Sequence, residues 1–125
     1  MLYRDGEHIP TYGDICNIAI DVLEKRGLNK GDFHSGYADT GSVCILGACN
    51  VASGGLPDYC ALLKVSPLLT DLLRELTGTE DTIAQWNDRE EIELEDVVHF
   101  LKLAKQRFRY DCITTGDLKY LGWKP

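Results

Sequence analysis

The sequence predicts an all-α fold, a single domain of residues 1–125 built as a bundle of four to five helices. Two amphipathic segments with capping signals at both ends, residues 11–27 and 66–78, support this prediction. A third segment, residues 43–52, is apolar around nearly its whole circumference, so we expect a central buried helix there. Glycine-rich loops connect the segments, and 125 residues are enough for one hydrophobic core.

The first helix is predicted from residues 11–27, TYGDICNIAIDVLEKRG. Thr11 and Asp14 have the spacing of a capping box, and Gly27 follows two basic residues where a left-handed cap is expected. Residues 27–42 carry four glycines among polar residues and predict a loop with room for one extended pair. The apolar side chains of the helix share one stripe: Ile15, Ile18, Ala19, Val22 and Leu23.

The stretch SVCILGACNVASGG, residues 42–55, is either a reactive site or part of the core. A nucleophilic thiol needs a lowered pKa and access to substrate, and His99 in the last predicted helix is a conceivable partner for Cys44. The other interpretation makes Cys44 a small buried side chain, while Gly47 and Ala48 let a neighbouring backbone approach closely. We favour the core, and we keep a small-ligand-binding or enzymatic pocket around Cys44 and His99 as an alternative.

A leucine-rich helix follows, with Ser66 as its predicted cap, Pro67 as its first residue and Gly78 just past its end. Leucines make its apolar face: Leu68, Leu69, Leu72, Leu73 and Leu76. Next, Thr79 is expected to lead a short helix, and a long helix is expected at residues 94–109. Their predicted packing residues are Ile83, Ala84, Trp86, Val97, Val98, Leu101, Leu103, Ala104 and Phe108.

The segment Trp86-Asn87-Asp88 predicts the corner between these two helices. Asn87 tolerates left-handed backbone angles, Asp88 can accept backbone N–H bonds, and Trp86 would anchor the corner from inside. A binding role for Trp86 would require an exposed ring. The corner and the cysteine stretch together form a predicted structural hub: Cys44, Gly47, Ala48, Trp86, Asn87 and Asp88.

The net charge of the chain limits the classes of molecule that it is expected to bind. Twenty acidic and 13 basic side chains give a net charge of −7, which repels phosphate backbones and anionic lipid surfaces. We therefore expect no direct nucleic acid binding and no membrane binding. The same charge suits a basic protein partner, or an acidic surface that imitates DNA.

The five cysteines lack C-x-x-C spacing, no leader precedes them, and the sequence therefore predicts reduced thiols in a cytoplasm. No apolar run approaches the ~20 residues that a membrane-spanning helix needs. The three histidines are scattered, and the acidic run of residues 88–96 lacks the alternating ligands and central glycine of a calcium loop. We expect neither a metal site nor a cofactor.

The order of several motifs resembles a family of small helical domains of unknown function that occurs in actinobacteria and their bacteriophages. Its Cys-x-x-Gly-Ala element matches Cys44, Gly47 and Ala48, and its Ile-x-x-Trp-Asn-Asp element matches the segment from Ile83 to Asp88. Val97 and Ala104 match its closing helix. The resemblance covers about residues 13–107 and implies the fold and the cellular origin, but no activity.

The leading hypothesis is a small acidic cytoplasmic protein-binding module, an accessory factor of a bacteriophage or an actinobacterium that acts on a host protein. The absence of a recognisable catalytic set favours binding over catalysis. The alternatives are the pocket around Cys44 and His99 and an acidic DNA mimic. In the C-terminal tail, residues 110–125, Tyr120 and Trp123 are candidate partner-binding side chains.

Overall fold

Five α-helices form the described part of the protein. The computed structural model describes residues 11–31, 41–53 and 64–113. Within these ranges the helices are α1 (Tyr12–Arg26), α2 (Ile45–Ser53), α3 (Ser66–Thr77), α4 (Ile83–Asn87) and α5 (Leu94–Arg107). The same ranges hold two isolated β-bridges and no sheet, so the prediction of an all-α bundle is confirmed.

Helix α1 begins at the predicted capping box. The backbone N–H of Asp14 donates to Thr11 Oγ1 at 3.2 Å, and the N–H of Thr11 donates to Asp14 Oδ2 at 2.8 Å. Gly27 ends the helix as predicted, with a positive φ of 86° that favours glycine, but its ψ of 163° differs from that of the left-handed helical conformation. This conformation lets Leu28 pair with Val43 in a parallel bridge, in which the Val43 N–H donates to the Gly27 carbonyl at 3.0 Å.

Helix α2 is the buried helix of small residues. It begins at Ile45 rather than at residue 43, and it packs against α1 and α4. Its side chains at positions 45, 48, 49 and 52 are fully buried, whereas Val51 is 40% exposed. The cysteine stretch of residues 43–53 therefore lies mainly in the core.

Helices α3 and α4 begin at other residues than the sequence predicted. Ser66 lies inside α3, because the backbone is already helical at Val65, with φ −74° and ψ −44°. Helix α4 is capped by Thr82 rather than Thr79, since Thr82 and Gln85 form the complete Thr-x-x-Gln capping box. Gly78 adopts the left-handed conformation expected after α3, with φ 74° and ψ 4°.

The start of α1 is joined to the end of α5. The first N–H groups of a helix have no partner within it, and here the turn after α5 supplies the acceptors. The Tyr12 N–H donates to the Asp111 carbonyl at 2.9 Å, and the Gly13 N–H donates to the Phe108 carbonyl at 3.2 Å. An antiparallel bridge between Thr11 and Cys112 extends this junction.

One hydrophobic core contains buried side chains from all five helices. Helix α1 is central to it, because it contacts both α2 and α5 extensively. Among the described residues, no helix combines the length and the apolar character that crossing a bilayer requires.

Candidate functional site

The side chain of Asn87 connects three separate parts of the chain. It is 1% exposed, and its Oδ1 accepts a hydrogen bond from the Ile45 N–H at 2.9 Å, at the start of α2. Its Nδ2 donates to the Asn29 carbonyl at 3.0 Å. We call this arrangement of Asn87, Ile45 and Asn29 the asparagine junction. Because an α2 N–H lacks a partner in its own helix, Asn87 acts as a cap supplied from 42 residues away.

Two further side chains, Lys30 and Asp88, connect residues 29–31 to the turn between α4 and α5. The Lys30 ammonium donates to the carbonyls of Asn87 and Ile92, each at 2.8 Å, and to the carbonyl of Arg89. Asp88 Oδ1 accepts the Gly31 N–H at 2.8 Å, as the sequence suggested for this carboxylate. These contacts fix the turn between α4 and α5 against residues 29–31.

The left-handed backbone considered for Asn87 is absent. Among the described residues every positive φ belongs to a glycine, and Asn87 is the last residue of α4. Its role is carried by the amide side chain instead. No local signal could have shown this, because Asn29 and Ile45 are distant in the sequence.

Cys44 is a structural cap of α2. It is 9% exposed, and its Sγ accepts the Gly47 N–H at 3.2 Å. Burial raises the pKa of the thiol and the charge of Asp88 adds to this, although N–H groups of Gly47 and Leu46 oppose it. A raised pKa leaves little thiolate at neutral pH, and the thiolate is the form that reacts.

The other core cysteines are still less reactive in this environment. Burial raises the pKa of Cys16 to about 12. Burial also raises the pKa of Cys49 strongly, and the charges of Cys16 and Cys44 act in the same direction. Cys112 is exposed.

We therefore expect Cys112 to be alkylated rapidly by iodoacetamide in the folded protein, whereas Cys16 and Cys49 react only after unfolding. Cys44 should react far more slowly than Cys112. Peptide mass mapping distinguishes the five cysteines and measures each rate. Alkylation of Cys44 as fast as that of Cys112 would instead support a reactive thiol.

A groove lies between α3 and α5, with α4 at one end. Its volume is about 370 Å³, within the range of small binding clefts. Its apolar lining consists of Leu73, Leu76, Trp86, Ile92, Phe100 and Leu103. Thr77, Asp96 and His99 contribute the polar part of the lining. We call this surface the α3–α5 groove.

The aromatic part of the groove is a pair formed by Trp86 and Phe100. Their ring centroids are 5.4 Å apart and their planes are tilted by 56°, a geometry in which one ring edge can approach the other ring face. Phe100 is 5% exposed, and Trp86 is half-buried against the core. Trp86 thus both packs inward, as predicted, and lines an open surface. The asparagine junction holds it in place, because Asn87 is the next residue.

Two leucines at the groove depart from the sequence prediction. Leu76 and Leu103 were expected to pack in the core, but they are 47% and 42% exposed. Ala84, expected to pack as well, is also exposed. The helical stripes of α3 and α5 are wider than the core, so their outermost apolar residues lie along the groove. The wide apolar stripes of these two helices were the feature of the sequence that could have predicted the groove.

His99 borders two grooves of the described structure. The second has a volume of about 330 Å³ and includes Glu24 of α1 together with Val98 and Lys102 of α5. Cys44 lines neither groove. A pocket shared by Cys44 and His99 stays a prediction that these two surfaces do not support. The described residues also show no group of three or more His, Cys, Asp or Glu that could hold a metal ion.

The described chain around the groove is strongly acidic. Residues 74–96, which run from the end of α3 to the start of α5, contain nine acidic and two basic side chains. Arg89 forms ion pairs with Asp81 and Glu91. Arg107 pairs with Glu75 between α5 and α3 and lowers the pKa of that carboxyl.

A family model matches residues 9–107, and it is described as DUF6197, a family of unknown function. The chain belongs to this family. Searches of the curated proteins and of the solved structures found no match. The DUF6197 match includes both the asparagine junction and the α3–α5 groove. It ends before Tyr120 and Trp123, which lie outside the described residues, so their predicted partner-binding role stays a prediction.

Proposed function

We propose that this chain is a protein-binding module that holds an amphipathic helix of a partner protein in the α3–α5 groove. The observation that carries the proposal is the pair Leu76 and Leu103, two large apolar side chains left about half exposed beside an aromatic floor. Burying the exposed half of each leucine would contribute about 1 kcal/mol to docking. Such rims of exposed apolar residues mark interaction sites on small proteins.

A helix suits this groove for geometric reasons. The groove runs between two helices, and side-chain ridges of a third helix can pack into it as helices pack in a bundle. Anchors at positions i, i+3 or i+4, and i+7 of the partner would then enter the apolar lining. The receiving surface is preformed, because the asparagine junction fixes the end of α4 and Lys30 fixes the turn that carries Ile92.

The proposed setting is the cytoplasm of an actinobacterium, or of a cell infected by one of its bacteriophages, where the protein serves as an accessory factor acting on a host protein. The acidic charge and the sequence resemblance support this setting. Membership in DUF6197 agrees with the resemblance at the level of the family.

A neutral helical peptide of about 15 residues, with leucines at i, i+4 and i+7 and glutamines elsewhere, tests the proposal. The chain has two tryptophans, and a Trp123→Phe variant keeps only Trp86, so the fluorescence of Trp86 reports occupation of the groove. We expect saturable binding with a micromolar Kd. Replacing Leu76 and Leu103 by serine should weaken it about thirtyfold, because the contribution of about 1 kcal/mol from each leucine is lost.

The matched control is Val51→Ser, which removes an aliphatic side chain of similar exposure from α2, outside the groove lining. This variant should bind as the parent does. Circular dichroism checks that all variants keep their helices. Absence of peptide binding, or equal loss in the control, would contradict the proposed function.

A further inference from the structure

We infer that the partner helix is basic, with lysines or arginines beside its apolar anchors. This inference rests on the proposed function, since it names the partner for the same groove. It goes beyond the net charge of the chain, because it depends on where the charge lies. Residues 74–96 alone hold nine acidic and two basic side chains. Five residues of this segment line the groove: Leu76, Thr77, Trp86, Ile92 and Asp96.

The acidic side chains next to the groove are exposed. Asp96 belongs to the groove lining. Glu93 precedes the first turn of α5, and its side chain is exposed. Ile92 immediately before it lines the groove, so a helix docked there would pass close to Glu93 and Asp96. We call Glu93 and Asp96 the acidic rim.

Most of the rim is not neutralised within the described structure. The two arginines of residues 74–96 are engaged elsewhere, Arg89 with Asp81 and Glu91, and Arg74 with the backbone carbonyls of residues 80 and 81. Glu93 takes part in none of the ion pairs of the described residues. Asp96 accepts the Glu93 N–H at 2.9 Å, which stabilises the helix start but leaves the charge in place.

One ammonium group lies close to the rim, because Lys30 donates to the Ile92 carbonyl at 2.8 Å. Other basic groups near the groove are few. His99 lies in the groove lining, and Lys102 lies in the neighbouring groove with Glu24 and Glu95. Arg107 is paired with Glu75 and does not line the groove. The carboxylates of Glu93 and Asp96 beside Ile92 therefore favour cationic side chains on a helix docked there.

Three peptides with identical leucine anchors test this inference. The polar positions carry lysine in one, glutamine in the second and glutamate in the third, and Trp86 fluorescence in the Trp123→Phe background measures each Kd. We expect the lysine peptide to bind about tenfold more tightly than the glutamate peptide at low ionic strength. Added salt should reduce this difference, because exposed charges are screened.

Two charge-matched variants locate the effect. Glu93→Gln with Asp96→Asn neutralises the rim, and Asp21→Asn with Asp71→Asn removes the same charge from exposed positions on α1 and α3. The rim variant should lose most of the preference for lysine, and the control variant should keep it. An equal loss in both would show that the total charge decides, which overturns the inference.

The remaining outcomes separate the two proposals. Equal affinity for the lysine and glutamate peptides, or tighter binding of the glutamate peptide, would overturn the basic partner while leaving helix docking intact. If none of the three peptides binds, helix docking itself fails and the inference fails with it. Preference for lysine without any effect of Leu76→Ser and Leu103→Ser would place the contact outside the groove and overturn both.

Discussion

Replacing Asn87 by alanine should lower the free energy of unfolding by about 3 kcal/mol. The substitution removes the acceptor of the Ile45 N–H and the donor to the Asn29 carbonyl, and the Ile45 N–H lies in the core. Each buried backbone group left without a partner costs about 1–3 kcal/mol. A loss of this size is a large fraction of the stability of an ordinary domain.

Chemical denaturation measures this change, and amide hydrogen exchange locates it. The Ile45 N–H should exchange faster in the variant, because α2 loses its cap from α4. The control is Asn17→Ala at an exposed position of α1, where a change within about 0.5 kcal/mol is expected. A loss below about 1 kcal/mol at Asn87 would mean that water replaces the amide without penalty.

The second large effect is expected at Gly13, where α1 crosses the end of α5. A Cβ atom on Gly13 would lie 2.8 Å from the Lys105 carbonyl oxygen and 3.1 Å from the Arg109 Cα. Both obstacles are backbone atoms, so a side-chain rotation cannot relieve the clash. Gly13→Ala should therefore destabilise the protein by about 2 kcal/mol, although alanine favours the helix itself. Gly13→Val should cost more.

Gly78→Ala is the matched comparison for this prediction. Nothing lies within 4 Å of a Cβ at Gly78, but its φ is +74°. That substitution tests backbone strain without a steric clash, at about 1–2 kcal/mol, whereas Gly13→Ala tests a steric clash that is partly offset by the helix propensity of alanine. Denaturant midpoints for both variants give the comparison. If Gly13→Ala were as stable as the parent, α1 and α5 would be able to separate without loss of packing.

Much of the helical architecture could be predicted because its signals are local. Thr11 with Asp14 predicts the start of α1, and Gly78 predicts the end of α3, since both signals act within one turn of helix. The errors at Ser66 and Thr79 have the same local character. At α4 a neighbouring residue, Thr82, forms the capping box, and at α3 the backbone is already helical at Val65, before Ser66.

The groove was harder to predict, because hydrophobic periodicity shows which residues share a face but not how much of that face is covered. Leu72 and Leu76 belong to the same stripe of α3, yet Leu72 is 4% exposed and Leu76 is 47% exposed. Leu103 on α5 likewise looked like a core residue. Coverage depends on the neighbouring helix and its crossing, which are tertiary properties.

The sequence by itself determined that the chain is helical, that residues 43–52 are too apolar to lie in water, and that the protein is acidic. These properties follow from composition and from interactions between residues a few positions apart. Only the tertiary structure decided that Asn87 caps α2 and that Lys30 holds the α4–α5 turn. It also decided that Leu76 and Leu103 stay half exposed. These hydrogen bonds and this burial depend on contacts between segments that are far apart in the sequence. The local sequence pattern does not specify which distant segments come into contact.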